Sequence, residues 1–312
     1  MTNTESSSSP VKETGRKHPG GSGSSVSKRM EAYYRRIVDL GLTSYLAEFH
    51  TFGYTVIPPE LVASKETFEG IRDAVLRVAE KRTGIKHTLD GSGDLGRYAC
   101  AVPRNNEFVL FYLLFEGREF EDWLENETLQ AMLDIIMRGS VRLDAMDSIV
   151  KWKGDGNARY LHADSAAVTP EGVLPSTHAS GCNSALLLTD YTHENGATSM
   201  VPGSHLLFRQ PRPGESVEEA VPVEAPAGSL LLFHGNIWHG AFPKQTDGLR
   251  LNLTTNFVYS ATQTQESYQR DVPKDMLDRH SEWFARTVGA DNMKGWKELG
   301  PQPTYLLNRP RI

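Results

Sequence analysis

Apolar residues in the first third of the chain recur at helical spacing. Met30, Tyr33, Tyr34, Ile37 and Leu40 fall on one stripe and Gly41 follows, which predicts an amphipathic helix with a glycine stop. A second helix is expected over about 44–52, leading into the short strand Tyr54–Ile57, which Pro58 and Pro59 end. Ser64 stands where a cap is needed for a long helix whose inner face is Phe68, Ile71, Ala74, Val75 and Val78, and Gly84 closes it. A further helix is predicted from Phe120 to Met137, with Trp123, Leu124, Leu129, Met132, Leu133 and Ile136 turned inward.

After Gly139 the pattern shortens. Apolar or alternating runs at 141–143, 148–153, 158–163, 184–188, 197–201, 229–233, 239–241 and 249–259 are separated by Gly, Pro and Asp clusters. Short strands punctuated in this way predict a barrel or sandwich. Helical spacing returns over about 274–299, around Met276, Leu277, Trp283, Phe284 and Trp296. The expectation is one α+β domain with a mainly β core: helical support over about 30–139, a barrel over about 140–260 and a helical segment over about 261–312. Residues 1–29 are rich in Ser, Gly and Lys/Arg and nearly devoid of large apolar side chains. Such a segment cannot offset its ordering entropy by burial, so a disordered tail is expected.

Composition narrows the classes of function. The 312 residues are 39% hydrophobic and 23% charged with a formal charge of -6, ordinary for a globular protein and without the basic field that gathers nucleic acid. Two cysteines, Cys100 and Cys182, are too few for a disulfide framework or a zinc site of paired cysteines, and both are expected as reduced thiols in a cytoplasmic protein. The longest apolar run, Phe108 to Phe115, is eight residues, too short to span a bilayer. The start MTNTESSSSP lacks the apolar region of a secretory signal.

Candidate chemistry centres on Leu161-His162-Ala163-Asp164. On a strand, residues two apart share a face, so His162 and Asp164 present an imidazole and a carboxylate side by side, two-thirds of the 2-His-1-carboxylate set that holds Fe(II). Downstream, the strand over 229–233 ends at His234, and His239 follows five residues later. One of these two is needed as third ligand. His239 is the choice, because a hairpin through 243–248 returns Arg250 beside it, and a guanidinium fork suits the distal carboxylate of a chelating keto acid. His234 is then a hydrogen-bonded core or rim histidine.

Taken in order, His162-x-Asp164, Leu188-Thr189-Asp190, Asn195-Gly196-Ala197-Thr198, Pro202-Gly203-Ser204-His205, the strand after Gly228, His239 and Arg250 resemble the phytanoyl-CoA dioxygenase family of Fe(II)- and 2-oxoglutarate-dependent oxygenases, over roughly Leu42 to Tyr259. The resemblance implies a double-stranded β-helix, a cupin-like jelly roll, with flanking N-terminal helices and a C-terminal helix. It implies that His162, Asp164 and His239 bind iron, that Arg250 pairs with the distal carboxylate of 2-oxoglutarate, and that O2 is the oxidant. Thr198 matches a position whose hydroxyl commonly helps hold the cosubstrate. One departure stands out: relatives often carry Ser or Thr two residues after the distal histidine, and here that residue is Ala241. An intact Asp164, where related halogenases have a small residue, argues for hydroxylation or another oxidation.

The expected substrate is a small molecule, a secondary metabolite or amino-acid-like compound, with no nucleic acid or membrane partner. The rival readings are a silent jelly-roll binding protein and an oxygenase acting on a macromolecule. Loops over 89–106, 166–182, 206–222 and after Ser260 are expected to roof the mouth. His205 is read as a turn residue and Ser204 as no nucleophile. His178 and His193 lie in polar loops that could touch substrate, with solvent exposure the default reading. Lys151 and Lys153 share a strand face and either reach an anionic cosubstrate or substrate or form a solvated edge. Arg97, Arg104 and Arg159 are surface arginines that could meet a substrate carboxylate.

Overall fold

A computed structural model describes residues 25–91, 106–154, 160–165, 179–290, 296–297 and 300–301. Most of the expected tail, Cys100, Arg97, Arg104, Arg159 and His178 lie outside the described residues. The first helix, α1 (Ser25–Asp39), starts inside the segment expected as tail. Helix α2 (Thr43–Phe52) ends at Gly53 in the left-handed region (φ 87°), pressed so closely on the His205 ring that a Cβ there would lie 2.5 Å from Nδ1. Strand β1 (Tyr54–Ile57) follows, then α3 (Lys65–Thr83), capped by Ser64 accepting from Thr67 N–H and closed by Gly84.

The single helix expected over 120–137 is two, α4 (Arg118–Leu124) and α5 (Glu127–Ile136). Asn126 divides them: its side chain accepts from Leu129 N–H at 2.9 Å and donates to Val62 O at 2.7 Å, the Asn cap competing with helix continuation. Strand β2 (Glu107–Leu110) was not anticipated. The two runs expected at 141–143 and 148–153 form one strand, β3 (Val141–Lys151), with a register irregularity between Leu143 and Ala145. The polar Asp144 that seemed to break it is satisfied by Gln265, whose backbone and side-chain nitrogens both donate to it.

Strands β4 (Gly181–Leu187), β5 (Thr198–Met200), β6 (Val221–Pro222), β7 (Leu230–His234), β8 (His239–Ala241) and β9 (Arg250–Tyr259) complete two antiparallel sheets. One has six strands in the order β1-β7-β4-β9-β3-β2, the other three in the order β6-β5-β8. Of the strand expected over 158–163, residues 158 and 159 lie outside the described residues, and the described ones contribute an isolated bridge at His162. The C-terminal helix is broken into α6 (Tyr268–Asp271), α7 (Lys274–Asp278) and α8 (Glu282–Thr287). Pro273 opens α7 and Ser281 caps α8, accepting from Phe284 N–H at 3.2 Å.

Alternation along the strands assigns the two faces of the large sheet. Leu230, Leu232, Leu186, Leu251, Leu253 and Phe257 join the helical residues Ile71, Val75, Trp123 and Met132 in the main core. Each such side chain, fully buried, stabilises by about 1.5–3 kcal/mol. The opposite face carries Ala185, Leu231 and Phe233, which pack with Tyr191, Met200 and Ile237 of the smaller sheet's side. Helices thus cover one face of the large sheet, and the small sheet faces the other across a cavity. This is the double-stranded β-helix with flanking helices.

Candidate metal centre

His162 and His239 are brought together by backbone. His162 N–H donates to His239 O and His239 N–H donates to His162 O, both at 2.9 Å. This reciprocal antiparallel pair sets the imidazoles side by side, with ring centroids 4.3 Å apart. Asp164, two residues on, projects to the same side, its Oδ1 3.4 Å from His162 Nε2 and its Oδ2 3.5 Å from His239 Nε2. The next residue is anchored too: Ser165 N–H donates to Gly235 O at 2.8 Å.

The donor chemistry fits a cation. His239 Nδ1 lies 3.1 Å from Ile237 O; donating its proton there leaves Nε2 with a lone pair toward Asp164. Burial lowers the His239 pKa despite the opposing pull of Asp164. Burial alone would raise the Asp164 carboxyl, but His239, His162 and an Asn183 side chain donating at 2.5 Å outweigh it and hold the carboxyl at about 2. One carboxylate oxygen and two imidazole nitrogens lie within 4.8 Å of one another. Among the described residues it is the only group of three or more His, Cys, Asp or Glu that converges in this way.

The cluster opens on a cavity of about 360 Å³ floored by the large sheet. Strand β9 sends Arg250, Asn252, Thr254 and Asn256 into it, every second residue. Arg250 sits three alternations from Asn256, which pairs in register with Asn183 beside the metal cluster. Only 2% exposed, it lies over the Tyr191 ring at 4.8 Å, and its Nη1–H donates to Gly196 O at 2.6 Å while the buried Nε has no partner. Thr198 lines the same cavity and stands directly opposite Ala241 in the β5–β8 register.

Other expected residues fall elsewhere. His234 is on β7 but one residue past Phe233, so it faces the helices; it packs against Phe49 and His205, and its Nδ1 accepts from Asn236 N–H at 3.0 Å. Ser204 accepts from Trp238 N–H and donates to Val201 O. His193 packs on Phe242 and keeps 44% of its side chain exposed. Lys153 is exposed and pairs with Asp247. Of the two readings of Lys151, the solvated edge is overturned: the side chain is buried in the cavity wall, its Nζ 3.4 Å from Glu107 Oε2. The unanticipated β2 pairs outside it and takes the edge position. Cys182 is a buried free thiol whose pKa burial raises. No described residue of the loop over 206–222 lines the cavity. At the rim stand Tyr160, 67% exposed and stacked on His162, and Phe111.

Asn183 and, on β9, Asn252, Thr254 and Asn256 were missed from sequence. The signal for the last three was present: Arg250-x-Asn252-x-Thr254-x-Asn256 puts four polar residues on one face of a strand whose other face is largely apolar.

Comparison with known proteins agrees with this architecture. The family model described as phytanoyl-CoA dioxygenase matches residues 49–252. Dioxygenase trt7 of Aspergillus terreus is 28% identical over 149 residues, 47% of this chain and about half (49%) of its own length. Uncharacterized protein Rv1501 of Mycobacterium tuberculosis is 28% identical over 222 residues, 70% of this chain and 76% of its own. Among solved structures, HygX from Streptomyces hygroscopicus with nickel and 2-oxoglutarate bound superposes with a TM-score of 0.55 at 20% identity, covering 72% of this chain and 89% of that one. The 2-oxoglutarate-dependent carbocyclase SnoK from nogalamycin biosynthesis gives 0.52 at 21% identity, covering 77% and 90%. At such identities the structural likeness concerns the fold. Among the described residues no helix is long and apolar enough to cross a membrane.

Proposed function

Because the chain belongs to the phytanoyl-CoA dioxygenase family, whose members use Fe(II), 2-oxoglutarate and O2, we propose that it is a cytoplasmic oxygenase of a small molecule, with His162, Asp164 and His239 as iron ligands. The observation that carries this reading is the reciprocal His162–His239 backbone pair, which gathers two imidazoles and a carboxylate at one end of a cavity whose other end is Arg250. Iron bound there supplies the oxidising chemistry, in which a substrate C–H bond becomes C–OH while 2-oxoglutarate and O2 yield succinate and CO2.

The protein's own residues bind, orient and exclude water. Arg250, buried and stacked on Tyr191, takes the distal carboxylate through its unpartnered Nε and remaining donors. Thr198 adds a hydroxyl from the strand opposite Ala241, so the hydroxyl that relatives carry after the distal histidine is supplied across the sheet. The carboxylate of Asp164 fills the position a halide would need, which favours hydroxylation or a related oxidation over halogenation. Secondary metabolites and amino-acid-like compounds suit a cavity with polar Asn and Thr side chains inside and aromatic rings at its rim. Retention of every ligand type speaks against a silent binding protein, and the net charge of -6 against a nucleic-acid substrate.

Anaerobic titration with Fe(II) and 2-oxoglutarate is expected to develop the visible metal-to-ligand charge-transfer band. His162→Ala and Asp164→Ala should each abolish both the band and succinate release. A wild-type protein giving no band under saturating conditions sinks the assignment.

A further inference from the structure

Resting on the iron assignment proposed above, the geometry points to Gln210 as a positioning residue that sets metal affinity from the outer face of the small sheet. His162 spends both backbone groups on His239. Ala163, between the two ligands, therefore directs its N–H and C=O to the opposite edge, where none of the described strands lies. The Gln210 carboxamide takes that place: Ala163 N–H donates to Oε1 at 3.0 Å, and Nε2–H donates to Ala163 O at 2.5 Å. One side chain thus completes a ladder rung at the peptide units that aim His162 and Asp164.

The same loop grips the other ligand strand. Trp238, immediately before His239, donates its indole N–H to Arg209 O at 2.8 Å and its backbone N–H to Ser204 Oγ at 2.8 Å. The Arg209 guanidinium lies over the Trp238 ring at 4.7 Å and is held by Glu215 through two hydrogen bonds, at 2.8 and 2.7 Å. Leu161, Ala163, Val201 and Trp238 form a small apolar cluster behind the ligands, with Val217 and Ala220 packed on it. Outer contacts that orient ligands typically change metal affinity by about 10–100-fold when removed.

The test uses Gln210→Met, which keeps the length and removes both hydrogen bonds, and Gln210→Glu, whose carboxylate accepts from Ala163 N–H but cannot donate to Ala163 O. Co(II) binding to the full chain is followed by absorbance, alongside thermal unfolding without metal. The expected result is metal affinity weakened about 10–100-fold in Gln210→Met and at least as much in Gln210→Glu, whose second carboxylate oxygen is set against Ala163 O, with the metal-free Tm of both lowered by a few degrees and the protein fully folded at the assay temperature. Glu215→Ala, which loosens the loop without touching Ala163, is expected to weaken affinity less than Gln210→Met. A Gln210→Met protein that binds Co(II) as tightly as wild type, or whose weaker binding comes with a metal-free state already partly unfolded at the assay temperature, overturns the inference. A wild-type protein that binds no Co(II) overturns the iron reading itself, and this inference with it.

Discussion

The Thr198–Ala241 pair offers a sharp test of how the cosubstrate is held. The two residues are directly opposed in an antiparallel ladder, where Cβ atoms lie about 4.5–5.5 Å apart, so a hydroxyl on either reaches much the same volume. Thr198→Val removes the hydroxyl and keeps the branched shape that suits a strand. A hydrogen bond to a carboxylate contributes about 2 kcal/mol, roughly a 30-fold change in affinity. The loss should fall on the Kd and KM for 2-oxoglutarate and leave kcat nearly unchanged, because the contact is made equally before and during the reaction. Ala241→Ser in the Thr198→Val background should restore most of the affinity from the other strand. The assays are anaerobic absorbance titration for Kd and succinate release, with 2-oxoglutarate consumed uncoupled if need be, for KM. Unchanged affinity in Thr198→Val refutes the argument, as does a double variant no better than the single one.

Two other outcomes follow from the same structure. Arg250→Lys keeps the charge but loses the fork and the stacking on Tyr191, so the KM for 2-oxoglutarate should rise roughly 10-fold, and Arg250→Ala roughly 100-fold or more; equal values for Arg250→Lys and wild type count against a forked contact. Burial, with His205 and His50 nearby, pushes the His234 pKa down to about 4, so the unfolded chain binds the extra proton between that value and the ordinary 6.5 or so. This contribution to stability is fully present above pH 6.5 and lost as pH falls through 4, about 3 kcal/mol in all. Denaturant unfolding from pH 7.5 to 4 should show a slope that His234→Gln flattens.

How much was readable in the chain depended on whether the deciding partner was local. The helix stops at Gly41 and Gly84 and the Ser64 cap act within a few residues, and the sequence predicted them. The convergence of His162, Asp164 and His239 was legible because His-x-Asp uses the two-residue period of a strand and Arg250 follows His239 across a short turn. Lys151 was misread because its burial depends on β2, forty residues upstream, whose apolar run carries no alternation. The broken helix at Asn126 was missed because its inward residues keep helical spacing on both sides of the break. Nothing near Gln210 marks it out, since its partners are backbone atoms of Ala163, forty-seven residues away.

Strand β9 divides two duties between alternate residues. Leu251, Leu253 and Phe257 lock the strand to the helical layer, while Thr254 and Asn256 face the cavity and are only half-buried. Selection for a new substrate can therefore act on the inward set without disturbing the residues that keep the domain folded. A lineage built on this scaffold is free to change what it oxidises long before it must change how it stands.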